Sequence, residues 1–76
     1  MMNSEFSVVQ AEKFAARVRK TAGESEEAMV DTGWRLAFGR LPSAQERATA
    51  LDYLRRNSLP RLCLLMFNMS EFIYAD

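Results

Sequence analysis

One cysteine and no histidine in 76 residues leave this chain with nothing to staple it. Disulfide frameworks, zinc and iron–sulfur sites and redox pairs all fail on ligand count. The missing histidine also removes the commonest general base and the commonest metal ligand. A chain of this size buries only roughly 60% of the surface that its unfolded form exposes. Its net stability is therefore a small difference, on the order of a few kcal/mol. The fold has to rest on close-packed elements or lean on a neighbour, and residues 1–76 have room for a single domain.

Composition narrows the class. Hydrophobic residues make up 49% of the chain and charged ones 26%, the balance of a globular domain rather than a disordered one. Ten basic side chains offset ten acidic ones, and a net charge of zero argues against a dedicated nucleic-acid binder. Met1-Met2-Asn3-Ser4-Glu5 lacks the basic start and apolar stretch of a secretion signal. The most apolar run, residues 62–69, is far short of the roughly 20 residues a membrane span needs.

The apolar residues recur at steps of three and four, the spacing of one helical face, and no strand alternation is found. Residues 4–22 form a first helical segment with Val8, Ala11, Phe14, Ala15 and Val18 on its apolar face. Ser4 is placed to cap it and Gly23 to end it. The second segment opens at Ser25, with Glu26 and Glu27 in the dipole-favoured first turn. Val30, Trp34, Ala37 and Phe38 form its stripe, widened by Met29, Gly33 and Leu36, and Asp31–Arg35 is an i,i+4 pair. Gly39 and Pro42 stop this helix.

Ser43-Ala44-Gln45-Glu46 is a capping box that starts the third segment. Ala44, Ala48, Leu51 and Leu54 or Arg55 repeat helically along it, and Asp52–Arg56 is a further pair. Asn57-Ser58 breaks the pattern. The fourth segment, residues 59–68, is apolar on nearly every side, which suits a central helix or one that a partner covers. The pattern then restarts at Ser70, predicting one short extra turn whose Phe72 and Tyr74 fold back on the bundle. Asn3-Ser4-Glu5-Phe6 echoes Asn68-Met69-Ser70-Glu71-Phe72, and both read as a cap followed by an aromatic anchor. The expected fold is all-α, a small four-helix bundle with that extra C-terminal turn.

Each group with chemical potential has a plainer use. Ser58 at a helix start is superficially like the prosthetic-group serine of acyl carrier proteins, but those are strongly acidic, and a helix cap suffices. The break from Phe38 to Ser43 fits the turn of a helix-turn-helix whose second helix would present Arg47, Arg55 and Arg56 to DNA. The last two, however, lie at the wrong end of the helix for base contacts. Cys63 has no nearby base to lower its pKa and reads as a buried, inert thiol. Trp34 fits the core. Glu24, Glu26, Glu27 and Asp31 are explained by capping and the helix dipole without a metal. No residue is assigned a catalytic, cofactor-binding or metal-binding role.

Three stretches together resemble a known module: Asn3-Ser4-Glu5-Phe6 with Gln10-Ala11, the run from Trp34 to Arg47, and Leu62-Cys63 with Asn68 to Tyr74. It is the C-terminal end of a domain of unknown function found in large planctomycete-type proteins, which also carry cytochrome-c-like haem domains. A more distant likeness is to a repeated helical module of secreted bacterial surface proteins. The resemblance implies a C-terminal piece of a larger exported protein, in a periplasmic or envelope setting. It brings no activity and no cofactor to these residues. The expected role is a non-catalytic packing or interaction module whose partner is the rest of the parent protein or another protein, with no nucleic acid and no membrane span. The alternative is a small helix-turn-helix DNA-binding regulator.

Overall fold

Four helices follow one another in a computed structural model that describes residues 5–73, with side chains described to residue 69. They are α1 (Glu5–Ala22), α2 (Glu26–Phe38), α3 (Ala44–Arg56) and α4 (Leu59–Ile73), and no strand occurs among the described residues. The expected cap at Ser4 lies outside the described residues. Gly23 ends α1 at φ 75° and Gly39 ends α2 at φ 73°. In that left-handed region glycine escapes the Cβ penalty. The Gly39 N–H donates to the Arg35 carbonyl and closes the last turn of α2. Ser25 caps α2 by accepting the Ala28 N–H at 3.2 Å. Ser58 begins α4 in the same way, accepting the Arg61 N–H at 3.4 Å.

α2 and α4 each pack against every other helix, whereas α1 and α3 do not touch. The buried core gathers Ala11, Ala15 and Val18 of α1, Met29, Val30 and Trp34 of α2, Ala50 and Leu54 of α3, and Leu59, Leu62, Cys63 and Met66 of α4. Gly33 allows the close approach of α2 to α4, since a Cβ there would lie 3.4 Å from the Met66 methyl. Phe14 and Phe67 tie α1 to α4 with tilted rings whose centroids are 5.5 Å apart. The radius of gyration is 11.5 Å, close to the roughly 11 Å of a compact chain of this length.

Several sequence expectations give way. α4 runs without a break through Ile73, so Ser70 lies inside a helix and starts no extra turn. The side chains of Phe72 and Tyr74 lie outside the described ones. Phe6 is 71% exposed and anchors nothing. On α1 the buried line steps back four residues from Ala11 to Ser7, not three to Val8, and Val8 is left at the surface. Leu36 is likewise exposed, because Val30, Gly33 and Trp34 set the phase of α2. On α3 Ala44 and Ala48 face solvent while Ala50 and Leu54 turn inward. An alanine carries too little apolar area to fix the phase of a helix. Asp31 does not serve the i,i+4 pair: it accepts from Arg47 of α3, at 3.0 Å from Nε and 2.8 Å from Nη2.

Candidate interaction surface

The turn between α2 and α3 is the most heavily tied segment of the molecule. Ser43 Oγ accepts the Glu46 N–H at 3.1 Å, and Glu46 Oε1 accepts the Ser43 N–H at 2.8 Å, so the predicted capping box is formed. Arg40 adds a contact that the pattern did not single out. Its guanidinium grips the Glu46 carboxylate at both oxygens, at 2.8 and 2.9 Å, and also donates to the Leu41 carbonyl at 3.0 Å. The Arg40 hydrogen bond and the Ser43 N–H hold the Glu46 carboxyl down to about 2. The same pairing raises the Arg40 pKa. Pro42 is buried beneath this lock. In the Gly-Arg-x-Pro-Ser stretch, Gly39 thus ends α2 while Arg40, Ser43 and Glu46 together fix the start of α3.

Beside this turn α2, α3 and α4 enclose a groove of about 470 Å³. Its floor is apolar and buried, made of Trp34, Ala50 and Leu62. Tyr53, Leu65 and Met69 form its flanks, and Leu65 is 39% exposed. The capping-box residues Ser43 and Glu46 lie at its edge. Trp34 is 2% exposed, with the Phe38 ring at 5.4 Å, as its place in the core stripe predicts. Its indole Nε1–H, however, is buried with no acceptor. A donor left in that state costs about 1–3 kcal/mol relative to a satisfied one.

The other candidate groups are occupied. Arg47, Arg55 and Arg56, the cations a DNA-reading α3 would use, pair with Asp31, Glu26 and Asp52 respectively. Of the four carboxylates weighed for a metal, Glu26 and Asp31 are thus engaged by arginines. Among the described residues no group of three or more potential ligands gathers around one point. Cys63 is 1% exposed, and burial pushes its thiol up to about 12, against a small opposing effect of Arg19. Its burial is as expected, and the raised pKa keeps the thiol protonated at neutral pH. Comparison with protein-family models, curated proteins and solved structures finds no match to this chain.

Proposed function

We propose that this chain is a non-catalytic helical packing module whose α2–α3–α4 groove receives an apolar segment of a protein partner. The observation that carries this reading is the groove itself, where Leu65, Met69 and Tyr53 flank a buried tryptophan. Grooves of this kind take the apolar face of an amphipathic segment. Support also comes from how the potentially reactive groups are used: Ser58 caps a helix and Cys63 is a buried neutral thiol. The three arginines of α3 are neutralised in place, which favours a protein partner over DNA. The exported setting, with the rest of a larger protein as the partner, rests on the likeness of the Trp34–Arg47 stretch and the terminal residues.

The apolar dye anilinonaphthalenesulfonate tests the reading. The folded chain should bind it saturably, and Leu65→Glu should abolish that binding while leaving the helical circular dichroism intact. Absence of dye binding by the folded wild-type chain would count against a docking groove.

A further inference from the structure

A second surface lies on α1, the helix that does not touch α3. Phe6, Val9, Lys13, Arg17 and Lys20 follow one another at steps of three or four and share one face, and all five are exposed. Phe6 is 71% exposed and Val9 40%. From Phe6 to Lys20 the line extends about 21 Å along the helix axis. Arg40, Arg47, Arg55 and Arg56 are all paired with carboxylates. No ion pair engages Lys13, Arg17 or Lys20 among the described residues. Off this line, Arg19, Arg35 and Arg61 likewise have no ion pair among the described residues. Glu5 and Glu12, the acids of α1, sit about a quarter turn round the helix and leave the line itself cationic.

We propose that this face of α1 docks on an anionic lipid surface. Charge complementarity selects an anionic partner, and the apolar end selects among anionic partners. An aromatic ring and a valine continuous with a row of cations match the boundary between lipid phosphates and acyl chains. There Phe6 and Val9 leave water while Lys13, Arg17 and Lys20 meet phosphates. A nucleic acid would engage the cations and leave Val9 without a role, and an acidic polypeptide would leave Phe6 in water. The molecule has no helix long and apolar enough to cross a membrane among the described residues, so the contact is peripheral. It is independent of the α2–α3–α4 groove.

Co-sedimentation of the 76-residue chain with lipid vesicles tests the proposal. The chain should bind phosphatidylcholine vesicles containing about one-third phosphatidylglycerol, bind pure phosphatidylcholine far less, and dissociate as salt is raised. Lys13→Glu with Arg17→Glu should weaken partitioning at least about tenfold. Phe6→Ser should weaken it at every salt concentration. The milder pair Lys13→Gln with Arg17→Gln should move binding in the same direction, so that a folding defect in the charge reversal cannot mimic the result. The proposal is overturned by equal binding to both vesicle types, by binding to neither, or by indifference to these variants. Binding to duplex DNA or polyglutamate without binding to the anionic vesicles overturns it as well.

Discussion

Glu46 accepts from both the Arg40 guanidinium and the Ser43 backbone, and this double engagement gives it a measurable pH signature. Its carboxyl falls from 4.5 to about 2 on folding. A depressed folded pKa means that its contribution to stability is complete above 4.5 and is lost as the pH falls toward 2. The melting temperature of the wild type should therefore converge on that of Glu46→Gln as the pH is lowered through this window. A gap of constant size down to about pH 2 would contradict the assignment. At the other half of the box, Ser43→Ala should cost about 1 kcal/mol in urea unfolding. An unchanged midpoint would mean that α3 starts elsewhere. For Cys63, the raised pKa and burial predict that an aromatic disulfide reagent modifies the native thiol no faster than the chain unfolds, whereas rapid modification under native conditions would show an accessible thiolate.

At the scale of elements, Gly33 brings α2 against Met66 of α4. Gly33→Leu would drive a side chain into Met66, and overpacking of this kind costs about 1–3 kcal/mol. Thermal denaturation of the variant checks this, and a melting point at or above the wild type would contradict the close approach. All four helices were legible in the sequence, because caps and stops at Gly23, Ser25, Gly39 and Ser43 are local chemistry. The phases of α1 and α3 were less legible. Val8 and Ala48 look apolar in the sequence, yet which side of a helix is buried depends on neighbours that the local pattern does not contain. The continuation of α4 past Ser70 has a similar cause: a serine that favours a cap in isolation is carried through by the helix already formed around it. The groove was only partly legible. The spacing of Trp34 puts it in the core, but the convergence of Tyr53, Leu65 and Met69 depends on how α3 and α4 pack against α2, which the local pattern does not contain. The pairing of Asp31 with Arg47 was hidden for the same reason.

At the scale of the whole molecule, charge and apolar surface are divided between two sides. The α2–α3 side pairs Arg40, Arg47, Arg55 and Arg56 with its own carboxylates and borders an apolar groove. The outward face of α1 leaves its cations free beside exposed Phe6 and Val9. A net charge of zero hides this division. Trp34 is the only tryptophan and lines the groove, so its emission reports groove occupancy directly. On the proposed reading this groove is an open docking site in the folded chain. Titrating anilinonaphthalenesulfonate while following Trp34 emission tests it most directly. Saturable quenching of Trp34 by energy transfer, absent in Leu65→Glu at unchanged helicity, is the predicted result. Dye binding that leaves Trp34 emission untouched, or equal quenching in Leu65→Glu, would contradict it.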